Sequence, residues 1–444
     1  MIESCKKDIT HINWLAVDFD VVEQSVKILQ NRIVKAKLAS RTRMVKHLQK
    51  LLVKSLNARI LAVKRVSENK GKKTAGVDGI LLDTNIKKSI CVNDLKIKIA
   101  DYKSKPLKRI EIPKKNGKTR PLGIPTMFDR SIQALYKLAI EPIAECIADK
   151  NSYGFRPKRS TQDAMKQIWL CTSKQNGAEW ILEADIKGCF DNISHQWLYD
   201  NIPLDNRLLK QWLKSGFIKD DTLFPTDSGT PQGGIISPIL ANMVLDGIEQ
   251  IVKNHKTRFQ KMENGVILYR HTNRLNFIRY ADDFVVTGRT QEDLQLVQKD
   301  IETFLSLRGL ELSKEKTHIT NINDGFDFLG FNFRKYSNKK IIVKPTKSGI
   351  QSFKDKIKEI FKKYNSSSLT MLISKLNPLL RGWANYYRFV NSKVIFSKLD
   401  TYIWRKSLNW MKRIHQRRET IKYYKQYFKP FPNYKSDVLS DGKL

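Results

Sequence analysis

The sequence FIRYADDFVVTG at residues 277–288 determines the fold class of this chain. Two short apolar runs flank the pair Asp282 and Asp283, which is the pattern of two strands joined by a polar turn. A further apolar run, WILEADI at 180–186, is also typical of a strand and carries Asp185 near its end. Because such strands alternate with segments of helical periodicity, the sequence predicts an α+β catalytic core.

The segments that flank this core are predicted to be helical. Residues 1–70 contain no Gly and no Pro, and apolar residues recur there at helical spacing at Val45, Leu48, Leu52, Leu56, Ile60 and Val63. Residues 27–73 hold 15 basic residues and one acid, which favours a phosphate-binding surface over a solvated helix face. After a hairpin or linker at KYSNKKIIVKPTKSG, residues 335–349, helical periodicity resumes and continues to about residue 430.

Residues 381–429 combine basic and aromatic side chains. They contain 13 basic residues and two acids, interleaved with Trp, Tyr and Phe. Positive charge that holds phosphates and flat rings that stack on bases are the composition of an RNA-binding surface. The alternative is an aromatic core beneath a basic exterior, and we expect the rings to be divided between the two.

The overall composition indicates a nucleic-acid partner. The 444 residues, enough for two to four domains, include 81 Lys and Arg against 44 Asp and Glu, a net charge of +37. No apolar stretch approaches the roughly 18 residues of a membrane span, and the N-terminus lacks the apolar core of a signal peptide. We therefore expect a soluble protein of the bacterial cytoplasm or, alternatively, of an organelle matrix or stroma. The five cysteines form no CxxC pair, which argues against a disulfide framework or a zinc site.

Acidic residues at the predicted strand ends are candidates for metal binding. Asp282 and Asp283, flanked by apolar residues, would repel each other unless a cation lay between them. Together with Asp185 from another strand, they could hold two Mg²⁺ ions about 4 Å apart, as phosphoryl transfer requires. A solvated turn is the alternative explanation of an isolated pair of aspartates.

Eight motifs occur in order along the chain: GKKTAGVDG, IPKKNGKTRPLGIPT, SYGFRPKRSTQDA, EADIKGCFDNI, GTPQGGIISPILANMVLD, RYADDF, LSKEKT and FDFLGF. They resemble the successive motifs of the reverse transcriptase domain of group II intron-encoded proteins. LNPLLRGWANYYR at 376–388 resembles the thumb, or maturase domain, of the same family. The resemblance implies a right-hand polymerase with a ferredoxin-like palm sheet. It implies a helical N-terminal extension at 1–75 that binds template or intron RNA, fingers and palm at 76–336, a helical thumb/maturase domain at 337–430 and a tail at 431–444.

The resemblance also implies roles for individual residues. Asp185, Asp282 and Asp283 match the catalytic, metal-binding triad, with the Ile186 carbonyl as a further ligand of two Mg²⁺ ions. The residues implied to bind the incoming deoxynucleotide are Lys114 and Arg120 at the triphosphate, Phe190 at C2′ of the sugar, Gln232 and Gly233 along the base pair, and Lys316 near the pyrophosphate. Lys314 is the alternative to Lys316, and Lys115 and Lys118 are expected to be solvated or on the nucleic-acid backbone.

Three further groups are implied to contact nucleic acid. Tyr153, Phe155, Arg156 and Arg159 either contact the template or brace the fingers. Phe326, Phe328, Leu329 and Gly330 either cradle the primer end or form a buried strand. The maturase surface is represented by Arg381, Trp383, Tyr386, Tyr387, Arg388 and Arg405.

The function implied by the resemblance is an RNA-directed DNA polymerase that copies a group II intron and assists its splicing. Its partners would be intron RNA, an RNA template with a DNA primer, dNTPs and target DNA. The alternatives are a splicing-only maturase with a vestigial polymerase, an RNA-dependent RNA polymerase, and a reverse transcriptase of defence or diversity generation. Phe190 argues against RNA synthesis, because that reaction needs a group that accepts the ribose 2′-hydroxyl. The seven histidines occur singly, so we expect no HNH endonuclease in this chain.

Overall fold

The structure is a computed structural model that describes residues 12–99, 101–113, 117, 119–174, 177–219, 222–231, 233–255, 257–263, 266–272, 275–337, 340–415, 420–429 and 438–439. The chain divides into two compact units. The first comprises residues 1–160 and 182–319, and the second comprises residues 161–181 and 320–444. Among the described residues, no helix is both long enough and apolar enough to cross a membrane.

Helices and strands alternate along the chain between residues 85 and 345. The helices are α1 (Phe19–Leu38), α2 (Thr42–Lys54), α3 (Leu56–Glu68), α4 (Asn85–Ile97), α5 (Met127–Ile147), α6 (Thr161–Thr172), α7 (Cys189–Asn192), α8 (His195–Asn201), α9 (Asn206–Leu213), α10 (Ser237–Leu245), α11 (Ile248–Asn254), α12 (Gln291–Ser306), α13 (Lys347–Lys363), α14 (Leu369–Tyr387), α15 (Lys393–Ile414) and α16 (Thr420–Tyr427). The strands are β1 (Leu107–Pro113), β2 (Thr119–Ile124), β3 (Trp180–Asp185), β4 (Phe217–Lys219), β5 (Thr222–Phe224), β6 (Thr257–Glu263), β7 (Val266–Thr272), β8 (Asn276–Tyr280), β9 (Asp283–Gly288), β10 (His318–Asn321), β11 (Phe326–Phe328), β12 (Phe331–Lys335), β13 (Ile341–Pro345), β14 (Phe428–Lys429) and β15 (Val438–Leu439).

The N-terminal region is helical, as the sequence predicts, and α1, α2, α3 and α4 pack against α5. The core of α5 includes Leu135 and Leu138, whose side chains are almost fully buried. The apolar residues at helical spacing on α2 and α3 are also buried, with one exception. Leu56 is 45% exposed, because α2 ends at Lys54 and α3 begins at Leu56, so the apolar stripe is interrupted between them.

A four-stranded sheet with the order β2-β1-β4-β5 contains the hairpin that β1 and β2 form. β1 and β2 are antiparallel, and Ile112 lies opposite Arg120 in their register. β1 continues the sheet through a short parallel pairing with β4, in which Leu107 lies opposite Phe217. The tip of the hairpin at residues 114–116 and 118 lies outside the described residues.

A second four-stranded sheet, with the order β10-β3-β9-β8, carries the predicted acidic turn. β8 and β9 are antiparallel, with Tyr280 opposite Asp283, so the prediction of two short strands around a polar turn is confirmed. The run WILEADI forms β3, also as predicted. Phe277 and Phe284 are buried on this sheet, and their ring centroids lie 5.6 Å apart. The acidic ends of β3 and of the β8–β9 pair are thereby fixed to one buried framework.

The second unit contains a three-stranded sheet, β11-β12-β13, and a helical core. Phe353, Ile357 and Leu372 belong to this core. Of the two predicted alternatives for 335–349, hairpin or linker, the structure shows a hairpin, since β12 and β13 are antiparallel. The hairpin spans 331–345, however, and residues 347–349 already belong to α13. The boundary drawn from the sequence at 336/337 falls inside that hairpin, whereas the second unit begins at residue 320 and takes in residues 161–181.

The aromatic rings of the second unit are divided between core and surface, as expected. Trp410 is 4% exposed and Tyr387 is 6% exposed, so both belong to the core. Trp404 is 41% exposed and Phe389 is 60% exposed. The exposed rings are therefore available for contacts outside the chain.

Candidate active site

Asp185 lies at the C-terminal end of β3, where the following loop is held by backbone hydrogen bonds. Its carbonyl accepts a hydrogen bond from the Ser313 amide at 2.8 Å, and Ile186 forms an antiparallel bridge with Leu312. The carboxylate accepts a hydrogen bond from Nζ of Lys316 at 2.7 Å. Segment 312–316 thus fixes both the backbone and the side chain of Asp185.

Asp282 and Asp283 follow Ala281 at the turn between β8 and β9. Ala281 has a φ of +60°, a conformation that a residue with a side chain rarely adopts. Gly154 packs directly beneath this turn, since a Cβ atom at Gly154 would lie 2.2 Å from the Ala281 nitrogen. The approach of two backbones therefore requires glycine at position 154.

The three aspartates affect one another's ionisation. Burial of its carboxyl group is the largest cause of the raised pKa of Asp282, and the charge of Asp185 acts in the same direction. Protein atoms also crowd the Asp283 carboxyl, although the residue as a whole is exposed. This burial, a hydrogen bond with Asp185 and the charges of Asp282 and Asp185 raise the pKa of Asp283 to about 7. The pKa of Lys316 is raised because its ammonium group donates to the Asp185 carboxylate.

The oxygen donors of this cluster have the chemistry that suits divalent cations. Three carboxylates that are partly removed from water and repel one another are stabilised by positive charge between them, and oxygen donors are the ligands that Mg²⁺ prefers. In this structure the Lys316 ammonium group supplies positive charge at Asp185. In the described part of the chain, no three His, Cys, Asp or Glu side chains stand in metal-binding geometry.

A buried cation behind the turn was not predicted from the sequence. The Arg279 side chain is fully buried and donates to Oδ1 of Asp246 at 2.5 Å, to Oδ1 of Asn242 at 3.0 Å and to the carbonyl of Ala281 at 3.2 Å. Burial raises the pKa of Asp246 to about 6. Arg279 thus ties the acidic turn to α10 and to the segment that follows it. The signal was present, because a charged residue inside the apolar run FIRY must be paired if that run is buried.

The segment SYGFRPKRS mainly braces this part of the fold. Arg156 is 9% exposed, pairs with Glu145 at 2.7 Å and donates to the carbonyls of Asp149 and Ser152. Of its two predicted roles, these contacts favour bracing over template contact. Tyr153 is also buried, and the Arg159 guanidinium lies 5.5 Å from its ring centroid. Phe155 differs from them, since it is 52% exposed.

Four of the residues predicted to bind nucleotide lie in the described part of the chain, namely Arg120, Phe190, Gly233 and Lys316. Arg120 lies in β2, and its charge lowers the pKa of Asp282, which places the two groups within electrostatic reach. Gly233 has a φ of +115°, and a Cβ atom there would lie 2.4 Å from the Gly123 carbonyl oxygen. Phe190 is half-buried in α7. Lys114 and Gln232, which were also predicted to bind nucleotide, lie outside the described residues, as do Lys115 and Lys118, which were expected to be solvated or on the nucleic-acid backbone.

Lys316, rather than Lys314, contacts the acidic cluster. Its Nζ atom donates to Asp185, and 65% of its side chain remains exposed. Lys314 is exposed too, but its charge acts on Glu311. The geometry therefore favours Lys316 in the choice that the sequence left open.

The FDFLG segment in the second unit is held by the helix that carries GWANYYR. Phe326 and Phe328 are buried, so their side chains belong to the strand core, the second of the two predicted alternatives. The hydroxyl of Tyr386 donates to the Leu329 carbonyl at 2.8 Å, and that of Tyr387 donates to the Gly330 carbonyl at 3.1 Å. These two tyrosines therefore position the loop at 329–330.

Other residues of the maturase motif are divided between core and surface. The Trp383 ring stacks on Phe353 with 4.7 Å between ring centroids, which makes it a packing residue. Arg381, Arg388 and Arg405 are exposed. Of the predicted RNA-contacting set, these three arginines have the accessibility that a phosphate contact needs.

Comparison with known families identifies the class of this site. Residues 112–333 match the family described as "Reverse transcriptase (RNA-dependent DNA polymerase)", residues 14–95 match "N-terminal domain of reverse transcriptase", and residues 350–428 match "Group II intron, maturase-specific domain". The first of these matches makes the class of the protein an RNA-directed DNA polymerase, and the three aspartates lie within the matched range.

Individual relatives agree with this class. The group II intron-encoded protein LtrA of Lactococcus lactis is 30% identical over 443 residues, with 80% of this chain and 72% of that protein covered. Protein YkfC of Escherichia coli is 33% identical over 292 residues, with 59% and 76% covered. Maturase-like protein 1 of Euglena gracilis is 26% identical over 379 residues, with 83% and 76% covered. The chain belongs to the group II intron-encoded reverse transcriptases with a maturase domain.

Proposed function

We propose that this protein copies group II intron RNA into DNA by two-metal-ion nucleotidyl transfer and assists the splicing of that intron. The observation that carries the proposal is the meeting of Asp185 with Asp282 and Asp283 at the ends of β3 and β8, next to Lys316. Three neighbouring carboxylates, partly removed from water, and one adjacent cation are groups that phosphoryl transfer can use.

The chain's own residues bind and orient the reactants. Asp185, Asp282, Asp283 and the Ile186 carbonyl would hold two Mg²⁺ ions, which when bound would make the primer 3′-hydroxyl more acidic and neutralise charge on the triphosphate. Arg120 lies within electrostatic reach of Asp282 and would bind the triphosphate through its planar fork. Lys316, whose ammonium group lies next to Asp185, would donate a proton to the departing pyrophosphate or screen its charge.

Purified protein tests this proposal with a poly(rA)/oligo(dT) duplex, dTTP and Mg²⁺. We expect DNA synthesis that Asp282→Asn reduces by several orders of magnitude, because the variant loses a charged metal ligand. Binding of the RNA template, measured by filter retention, should remain near the wild-type level and serves as the control for folding. Protein that folds and binds template but does not extend the primer would leave the splicing-only alternative.

Phe190 is proposed to select deoxynucleotides. A ring beside C2′ of the sugar leaves no room for the ribose 2′-hydroxyl. Phe190→Val should therefore raise ribonucleotide relative to deoxynucleotide incorporation. The discrimination ratio, kcat/KM for dTTP over that for UTP, is the measurement, and an unchanged ratio in a folded variant would reassign Phe190 to the core.

The splicing role rests on the maturase-domain match and on the exposed arginines of the second unit. Arg381, Arg388 and Arg405 would contact phosphates of the intron RNA. A splicing reaction with the cognate intron RNA tests this role directly. Rates that do not change on addition of the protein, under conditions in which it binds the RNA, would contradict it.

A further inference from the structure

Residues 151–155 run beside the strand that leads into the acidic turn. The Arg279 amide donates to the Asn151 carbonyl at 2.9 Å, and the Tyr153 amide donates to the Arg279 carbonyl at 2.9 Å. Gly154 then packs against the backbone of Ala281. The segment is therefore fixed to the same framework that positions Asp282 and Asp283.

Phe155 follows directly and has two unusual properties. Its φ of +59° lies in the left-handed region, which phenylalanine rarely adopts. Its apolar side chain is 52% exposed. A polar residue or glycine would suit such a position better, so neither the local backbone nor the core explains a phenylalanine there.

The Phe155 ring has a defined contact. It meets the ring of Phe190 edge to face, with centroids 6.3 Å apart and an interplanar angle of 78°. This is a favoured geometry of aromatic pairs, because the positive edge of one ring faces the negative face of the other. The left-handed backbone at Phe155 thus directs a half-exposed ring onto the proposed sugar-selecting residue.

The main chain at Phe190 is fixed by the loop at residues 229–230. The Thr230 amide donates to the Phe190 carbonyl at 2.6 Å, and a Cβ atom at Gly229 would lie 2.5 Å from the same oxygen. Nε2 of His195 lies 2.7 Å from the Gly229 carbonyl oxygen and fixes this loop. These contacts hold the main chain and leave the orientation of the Phe190 ring to the groups beside it.

We propose that Phe155 is a positioning residue for the selection of deoxynucleotides: its ring holds the Phe190 ring where it excludes the ribose 2′-hydroxyl. The proposal rests on the proposed function of Phe190. Through Gly154, the same short segment also sets the distance from this pair of rings to the acidic turn. A purely template-binding role of Phe155 predicts a different result, namely weaker template binding with unchanged sugar discrimination.

The test compares substitutions that keep or remove the ring without straining the backbone. Phe155→Gly and Phe155→Asn tolerate a positive φ and remove the ring, whereas Phe155→Tyr keeps it. We expect the first two to lower the dTTP-over-UTP discrimination ratio about two- to tenfold, the effect of losing one edge-to-face contact on an orientational equilibrium. Phe155→Tyr should restore the wild-type ratio.

A matched control removes a different exposed ring. Phe224 is 40% exposed and stacks on Phe217 with centroids 5.2 Å apart. Phe224→Asn should leave the discrimination ratio at the wild-type value. A ratio that is unchanged in both Phe155→Gly and Phe155→Asn, or lowered equally by Phe224→Asn, would overturn the proposal.

A double-variant cycle separates this proposal from the one on which it rests. If Phe155 acts through Phe190, Phe155→Gly combined with Phe190→Val should discriminate no worse than Phe190→Val alone. If the double variant lowers the discrimination ratio by the product of the two single effects, Phe155 acts independently of Phe190, which contradicts the proposal. If Phe190→Val leaves the ratio unchanged while primer extension persists, the sugar-selecting role of Phe190 itself has failed.

Discussion

Replacement of Arg279 by methionine is expected to disrupt the acidic turn, because Arg279 donates to the Ala281 carbonyl in that turn. The substitution keeps most of the apolar volume of a fully buried side chain and removes its charge and its donors. Asp246, whose side chain is 5% exposed, would lose its cationic partner. Oδ1 of Asn242 and the Ala281 carbonyl oxygen would each lose a hydrogen bond from Arg279.

The expected cost follows from these contacts. The pKa of Asp246 is already raised to about 6 by burial, so the group can be neutralised at pH 7 by proton uptake for about 1.4 kcal/mol. The electrostatic penalty is therefore limited, and two acceptors left without donors add about 1–3 kcal/mol each. We expect Arg279→Met to lower the free energy of unfolding by about 3–7 kcal/mol, the sum of these contributions, which overlaps the range for removal of one partner of a buried ion pair.

Urea unfolding at pH 7 and primer extension on an RNA template measure the two consequences. Arg279→Met combined with Asp246→Leu should regain much of the stability, because the unpaired carboxyl is gone, but should not regain activity, because the Ala281 carbonyl still lacks its donor. Arg308→Met is the control, since Arg308 also donates to two carbonyls, those of Val244 and Phe304, without a contact to the turn. Full activity of the double variant would refute the role of Arg279 in positioning the turn.

Three further predictions concern groups around the site and on the second unit. Lys316→Met should reduce kcat for primer extension about 10²-fold or more, the scale of a lost proton-transfer group, whereas Lys314→Met should have a much smaller effect. Burial raises the pKa of Asp246 to about 6 in the folded protein, so between its unfolded and folded pKa values the folded protein binds a proton that the unfolded chain does not. Asp246 therefore adds to the free energy of unfolding at low pH, and this contribution is lost as the pH rises through 6. The stability of the wild type relative to Asp246→Asn should therefore fall by up to about 3 kcal/mol between pH 3.5 and pH 7 in urea unfolding, and a rise would contradict this assignment. Neutralising Arg381, Arg388 and Arg405 should reduce the slope of log K for intron RNA against log salt by up to about 2 and impair splicing more than primer extension, while equal losses would place these arginines in the polymerase thumb.

The parts of this fold that follow local patterns could be predicted from the sequence. The strands around Asp282 and Asp283, the strand before Asp185 and the hairpin that carries Arg120 depend on apolar runs and turn residues within a few positions. The helical regions depend on periodicity in the same way. Helical spacing does not reveal that Leu56 is exposed, because spacing alone does not show that one helix ends at Lys54 and another begins directly afterwards.

The contacts that position the site could not be predicted in the same way, because they join residues far apart in the sequence. Arg279 pairs with Asp246, and Arg156 pairs with Glu145 while donating to the carbonyl of Asp149. The sequence showed charged residues in both places, and the apolar run FIRY indicated that Arg279 needs a partner, but nothing in the spacing indicated which residues either arginine contacts. The sequence therefore could not decide whether Arg156 contacts the template or braces the fingers. The structure favours bracing, because Arg156 is buried and paired with Glu145.

The acidic turn is held in a conformation that its own residues do not favour. Ala281 adopts a left-handed backbone, and the two aspartates that follow it are partly desolvated beside a third. Gly154 below the turn and Arg279 behind it impose this geometry, and both belong to a framework whose charges are buried and paired. The turn thus destabilises the folded state and the paired charges of the framework stabilise it, as expected where carboxylates must be preorganised for cations. Substitutions in that framework should therefore alter catalysis without touching a nucleotide, which is why Arg279 is the most informative residue to change.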